Sequence, residues 1–259
     1  MNHEQKVREF YNNAAPCFEA IMGDVWHFGD PAAEARGLSA REAALLLEER
    51  LVAETGLTAG GRALDFGSGV GGGTLHMARV SGARFVGLTN NEVCNQKARA
   101  RAAAVGLDER VSFLTIGDRD YKNLPFPDAS FDAAFFLESV CHLPDKPAFF
   151  REMFRLLKPG ARLAGMDWLQ RPFGAHQTEA QILAYMGPVN ELYCIPQHGT
   201  VEGYRAMAEA AGFGVRLARD LYEGALCLGC APPEHREGFA AYLGPEQDML
   251  RRGKVALDA

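Results

Sequence analysis

From residue 62 onward the chain alternates short apolar runs with longer amphipathic segments. The runs at 62–66, 83–88, 111–116, 131–137, 162–169, 215–220 and 224–230 have the length and composition of strands. Segments at 73–81, 92–105, 147–157 and 201–211 carry apolar positions at helical spacing. Strands and helices in this order predict a mostly parallel, doubly wound sheet covered by helices on both faces. The last two runs are joined only by Leu221-Tyr222-Glu223, which suits an antiparallel hairpin at the end of a seven-stranded sheet.

Upstream, residues 1–60 read as mainly helical. The stretch 39–55 mixes good helix formers with an apolar face, Ser39 is placed to cap its start, and Gly60-Gly61 ends it. Residues 170–200 break the alternation and read as an inserted cap. One domain over 1–259 is expected: a helical cap (1–60), a core (61–169), the insertion (170–200) and the remaining sheet with its tail (201–259).

Composition narrows the function classes. The formal net charge is -6, so there is no electrostatic case for nucleic-acid binding. No apolar run approaches the roughly 18–20 residues that span a bilayer. The first residues lack the apolar core of a secretory signal, so a cytoplasmic protein is expected. Six cysteines are scattered apart from Cys227 and Cys230, which stand two residues apart in an apolar run with no second pair. They read as buried thiols, and no metal site is expected from them. A homo-oligomer is compatible with the sequence and not required by it.

The chemistry concentrates at Leu64-Asp65-Phe66-Gly67-Ser68-Gly69-Val70-Gly71-Gly72-Gly73-Thr74. Glycines between a strand and a helix let the backbone approach a ligand, and they predict a nucleotide-like partner on a Rossmann-like fold. Gly67, Gly69 and Gly72 also satisfy the dinucleotide spacing G-x-G-x-x-G. A nicotinamide cofactor, however, needs an acid at the end of the second strand. That strand ends in Thr89-Asn90-Asn91, with no acid before Glu92. Asparagines can still bond ribose hydroxyls, so a dehydrogenase is disfavoured rather than excluded.

Asp65 before the first glycine, Asp118 after the third strand, Leu124-Pro125-Phe126-Pro127-Asp128 and Leu156-Leu157-Lys158-Pro159-Gly160 form an ordered set. This set resembles class I S-adenosylmethionine-dependent methyltransferases over residues 62–169. The resemblance implies S-adenosylmethionine as cofactor. Gly67, Ser68 and Gly69 would line its methionine part, with Thr89 and Asn90 by the ribose. Asp118 would accept from the adenine amino group and Arg119 would flank the ring, while Asp65 and Glu138 complete the cofactor set. The bland alternative makes Asp118 a turn cap and the Thr89–Asn91 stretch a helix cap.

Further motifs concern the acceptor. Gly87-Leu88-Thr89-Asn90-Asn91-Glu92, Leu137-Glu138-Ser139-Val140-Cys141-His142, Phe10-Tyr11-Asn12 and Trp26-His27-Phe28-Gly29 are similar to stretches of sterol and prenyl diphosphate C-methyltransferases. That resemblance implies methyl transfer to an alkene, with a carbocation stabilised by aromatic faces and quenched by deprotonation. Glu138, His142 and Tyr11 are the catalytic candidates. Trp26, Phe28, Tyr185 and Tyr193 are candidates for the acceptor wall, against core packing as the plain reading.

After residue 230 little remains where sterol enzymes carry a further region, so the expected acceptor is a smaller isoprenoid, a prenyl diphosphate. His27, Arg171, His176, Gln197 and His198 would hold the diphosphate, against a solvated loop as the plain reading. Magnesium is compatible with such a ligand, but no acidic cluster with ligand spacing demands it. The rival readings are a small-molecule O- or N-methyltransferase and a cofactor-binding protein without catalysis.

Overall fold

The computed structural model describes residues 3–117, 120–170, 172–174 and 177–221. The chain opens with α1 (His3–Met22), α2 (Pro31–Glu34) and α3 (Ala40–Thr55). Ser39 starts α3 as expected. Its hydroxyl accepts the Glu42 N–H, and the Glu42 carboxylate reaches back to the Ser39 N–H, so two orphan donors of the first turn are satisfied. The lead-in between α1 and α3 presses close to its neighbours. A Cβ on Gly29 would lie 2.3 Å from the Ala43 backbone, so glycine alone fits there.

The core follows as β1 (Arg62–Phe66), α4 (Gly72–Ser81), β2 (Arg84–Thr89), α5 (Glu92–Ala104), β3 (Val111–Thr115), β4 (Phe131–Leu137), α6 (Lys146–Leu156) and β5 (Leu157–Met166). The strands form one sheet in the order β3-β2-β1-β4-β5, and every pairing is parallel. The order reverses at β1, and in open sheets of this kind ligands collect outside the C-terminal ends of the strands at such a switch point. Alternating side chains feed two cores. Leu64, Phe66, Val86, Leu88, Ala134 and Phe136 face one layer, while Ala63, Phe85, Ala133 and Phe135 face the other. Phe149 on α6 closes the first layer, with ring centroids 4.9 Å from Phe66 and 5.6 Å from Phe136.

The sheet differs from expectation at one side. Five strands are present among the described residues, not seven. The stretch 215–220 has no strand structure there. A strand needs a ladder partner to satisfy its backbone groups, and the expected partner, 224–230 with Cys227 and Cys230, lies outside the described residues. The fifth strand also starts earlier than expected. β5 begins at Leu157 and passes an irregularity before Arg162 pairs with Ala133.

After β5 come α7 (Glu179–Leu192) and α8 (Val201–Ala211). α7 fills the expected insertion and has no buried residue, whereas Tyr204 of α8 packs into the core. At the other end of the chain, α1 is tied down by Glu19, which forms ion pairs with Lys97 and Arg101 of α5. Nearby Asn91 donates to Asn12 at 2.8 Å. No helix among the described residues is long and apolar enough to cross a membrane.

Phe149 is fully buried between sheet and helix. Phe149→Ala should therefore cost about 3–5 kcal/mol of stability through lost transfer energy and a cavity. Urea unfolding measures it, and a loss within experimental error would show that the layer closes without this ring.

Candidate active site

The C-terminal ends of β1, β2, β4 and β5 carry the residues of interest. β1 runs into Gly67, which holds φ at +90°, while its N–H and that of Ser68 both donate to the Leu88 carbonyl. A Cβ at Gly67 would lie 2.2 Å from the Ser139 Cβ, so the turn requires glycine for space as well as conformation. Gly67 is exposed between buried Phe66 and buried Val70, and the open backbone forms a shallow cradle. Ser68 Oγ at its base is buried without a hydrogen-bond partner. Trp26 overhangs the cradle, 3.7 Å from where a Gly69 Cβ would sit.

Thr89 and Asn90 stand partly buried at the end of β2. Asn91 instead turns inward and caps α5 by accepting the Cys94 N–H at 3.1 Å. Asp65 is buried and accepts from the Thr74 hydroxyl, facing α4 rather than the cradle. Burial pushes its carboxyl up to about 6 against that hydrogen bond. Asp118, Arg119, Arg171 and His176 lie outside the described residues.

Glu138 follows β4 directly and adopts a left-handed φ of 48°. For a non-glycine residue that conformation costs about 1–3 kcal/mol and persists where the surroundings over-determine it. Three contacts do so here. Its N–H donates to the Met166 carbonyl at 2.8 Å, Oε1 accepts the Phe28 N–H at 2.8 Å, and Oε2 accepts Trp168 Nε1–H at 2.7 Å. Desolvation outweighs these donors and the nearby His27 charge, and it pushes the Glu138 carboxyl up to about 7.

His142 lies one turn further, in a short 3-10 segment over Val140–His142. Its Nδ1 meets the Cys194 carbonyl at 3.2 Å and so must carry the proton, since a carbonyl only accepts. Nε2 is then a lone pair that accepts the Tyr11 hydroxyl at 2.9 Å. Burial holds His142 down at about 4, so the dyad is neutral. His3 of α1 donates to the His142 carbonyl at 2.8 Å.

Aromatic rings link these groups. Phe10 contacts Tyr11, Phe18 and Tyr193, Phe18 contacts Trp26, and Trp168 contacts both Phe28 and Tyr193 at 5.9 and 5.0 Å. Tyr185 stands apart, 37% exposed and touching Phe173. The expected anion-binding groups are dispersed. His27 is buried against Glu48 at 2.8 Å and pushed up to about 8: burial lowers it, and the Glu48 carboxylate, together with Glu138 and the Phe28 carbonyl, more than reverses that. His198 is buried against Asn190 at 2.6 Å and held down at about 4 by burial. The Gln197 side chain is exposed, and its carbonyl accepts from Lys146, whose ammonium also donates to the Cys141 and Leu143 carbonyls.

Residues 64–165 match a family profile described as a methyltransferase domain. These residues form a methyltransferase domain of the S-adenosylmethionine-dependent class. A sterol 24-C-methyltransferase of Eremothecium gossypii is 32% identical over 223 residues, 85% of this chain and 57% of the relative. A 24-methylenesterol C-methyltransferase of Oryza sativa subsp. japonica is 37% identical over 215 residues, 83% of this chain and 57% of the relative. A norajmaline N-methyltransferase of Rauvolfia serpentina is 36% identical over 177 residues, 65% of this chain and 60% of the relative. The chain thus spans about half the length of the sterol relatives it matches.

Among solved structures, the [4+2]-cyclase SpnF superposes with a TM-score of 0.77 at 25% identity, covering 98% of this chain and 88% of SpnF. Geranyl diphosphate C-methyltransferase from Streptomyces coelicolor superposes with a TM-score of 0.73 at 18% identity, covering 94% and 93% of the two chains. The latter likeness shows a shared fold.

The class I methyltransferase cofactor fits the chain on its own geometry: an exposed glycine backbone, an unpartnered Ser68 hydroxyl and a polar β2 end. The structure brings Tyr11, Trp26, Phe28, Glu138, His142 and Tyr193 into one linked neighbourhood. Sequence reasoning missed Trp168, although it lies directly past a strand's C-terminal end. It also missed Glu48, whose signal is an acid within the buried α3 stripe Ala44-Leu47-Glu48-Val52. Gly67→Ala should weaken S-adenosylmethionine binding by about tenfold or more, from backbone strain together with the Ser139 collision. Calorimetric titration of the folded variant checks it, and unchanged affinity would remove the turn from the cofactor site.

Proposed function

We propose that this chain transfers a methyl group from S-adenosylmethionine to an alkene carbon of an isoprenoid. The observation that carries the reading is Glu138, a carboxylate beside the Trp168 and Phe28 rings and raised to about 7. Gly67, Ser68 and Gly69 would hold the methionine part of the cofactor, with Thr89, Asn90 and, beyond the described residues, Asp118 and Arg119 at its nucleoside. Bound there, the cofactor supplies an electrophilic methyl. Cofactor and acceptor would meet beneath residues 1–38 and 170–200.

An alkene that gains a methyl is left as a carbocation. The faces of Trp168, Phe28, Tyr11 and Tyr193 supply quadrupole stabilisation without a competing nucleophile. The cation then loses a proton, and the electron pair of that C–H bond restores the alkene. Glu138 is the better acceptor of this proton than His142, because burial raises the first to about 7 and lowers the second to about 4. His142 holds the Tyr11 hydroxyl at 2.9 Å. A heteroatom acceptor needs a base and positioning but no aromatic enclosure. The N-methyltransferase relative keeps that second reading alive.

The finer reading is a prenyl diphosphate. His27 and His198 are engaged inside the protein, so the diphosphate falls to Arg171, His176 and the exposed Gln197 side chain. Magnesium would assist it without being demanded by the described residues.

Three measurements test these statements. Label from methyl-labelled cofactor should appear on carbon when isopentenyl, geranyl or farnesyl diphosphate is supplied; a methyl found on nitrogen or oxygen sinks the alkene reading. Glu138→Gln should lower kcat by about 10²–10⁴ and abolish the rise of kcat with pH through about 7, with cofactor affinity retained. The double change Arg171→Ala/His176→Ala should raise KM for a prenyl diphosphate and spare a sterol acceptor. Efficient turnover of the sterol alone would reject the diphosphate.

A further inference from the structure

Glu48 is fully buried in α3, and such an acid needs a partner. It has one, His27, on Oε1, while Oε2 has no hydrogen-bond partner. A buried ion pair is weak evidence for stability, since apolar replacements of similar volume often do as well. The geometry around this pair points to another use. His27 Nε2 meets the Glu48 carboxylate at 2.8 Å and Nδ1 meets the Phe28 carbonyl at 2.8 Å. Both partners are pure acceptors, so both ring nitrogens donate and the ring is an imidazolium. His27 thus holds the carbonyl side of Phe28, and the N–H on the other side of the same residue, in the peptide unit that joins it to His27, donates to Glu138 Oε1 at 2.8 Å.

We propose that the His27–Glu48 pair is a positioning device for Glu138: it fixes the Phe28 N–H donor and places a buried positive charge that keeps the Glu138 carboxylate ionised. The inference rests on Glu138 being the proton acceptor of the reaction read above. Glu48 is the counter-charge that lets His27 stay protonated in the interior, and neither side chain needs to touch the acceptor.

The electrostatic surroundings are mixed. Facing His27 are Glu48 from α3 and Glu138 from the end of β4, and Asp65 of β1 feels both His27 and Glu48. Facing Glu138 are His27, Asp167 beyond β5, the Trp168 N–H, and Tyr11 of α1 through its own coupling to the carboxylate. Among these neighbours His27 is the cation. Its loss leaves Asp167 as the opposing charge, and Glu138 then holds its proton to higher pH.

The test reads the carboxylate directly. Trp26 and Trp168 are the two tryptophans of the chain, so a Trp26→Phe background leaves Trp168, bonded to Glu138, as the fluorophore. Its fluorescence should titrate with a midpoint near 7, and Glu138→Gln should remove that transition. His27→Gln alone leaves Glu48 buried without a cation, so the neutral pair His27→Gln/Glu48→Gln stands in for it where the single variant does not fold. In either variant the midpoint should rise by roughly one pH unit, the low end of what a nearby opposite charge supplies. The acid limb of kcat should rise with it.

A midpoint that stays in place, or a parent protein with no Glu138-dependent transition, overturns the proposal. A midpoint that moves while the kcat limb stays fixed supports the positioning and removes Glu138 as proton acceptor. A pair with a merely structural role would change the unfolding midpoint and leave this titration untouched.

Discussion

A carboxylate taken out of water must find donors for both of its oxygens, and at Glu138 that requirement joins distant parts of the chain. Oε1 takes the Phe28 N–H from 110 residues upstream, and Oε2 takes Trp168 Nε1–H from 30 residues downstream. The N-terminal lead-in and the exit from β5 therefore have to arrive at one point. The lead-in can do so because Gly29 lets it lie against α3. The exit from β5 is held by the sheet register, in which Met166 stands opposite Leu137. The left-handed backbone at Glu138 is the local cost of aiming its side chain between these two donors.

The same neighbourhood separates titratable groups that begin close together. Burial alone raises an acid and lowers a histidine, and Glu138 and His142 follow that rule. His27 departs from it because Glu48, with Glu138 and the Phe28 carbonyl beside it, outweighs its desolvation. Environments that push neighbouring groups apart in this way divide proton-accepting from proton-retaining roles. This neighbourhood thus has a titrating side at Glu138 and a neutral, hydrogen-bonded side at Tyr11 and His142.

Much of this was legible in the residues, and unevenly so. The strands from 62 to 137 follow from apolar runs punctuated by Gly and Asn, because local pattern and tertiary burial agree there. Glu138 follows from its place after a strand in this fold. The start of β5 was not legible: Lys158-Pro159-Gly160 reads as a turn, yet Leu157 pairs with Phe131 before the irregularity. The stretch 215–220 looked like a strand by composition, but composition does not supply a ladder partner. His27, in the aromatic lead-in Trp26-His27-Phe28-Gly29, is a candidate anion ligand on sequence alone. Its actual partner comes from a separate helix, and no local spacing encodes that meeting.

The attachment of α1 is chemically uneven along its length. Toward its N-terminal half the helix is fastened by the ring contacts of Phe10 with Tyr193 and of Tyr11 with His142, and by the His3 bond to the His142 carbonyl. Toward its C-terminal end it is fastened to α5 by the partly exposed ion pairs of Glu19 with Lys97 and Arg101. Dissolved ions screen exposed charge pairs and leave aromatic packing intact. Ionic strength therefore acts on one end of this cover and not on the other. The α5 side is thus the end at which a rise in salt would loosen α1, while the end packed against His142 keeps its grip whatever the electrolyte outside.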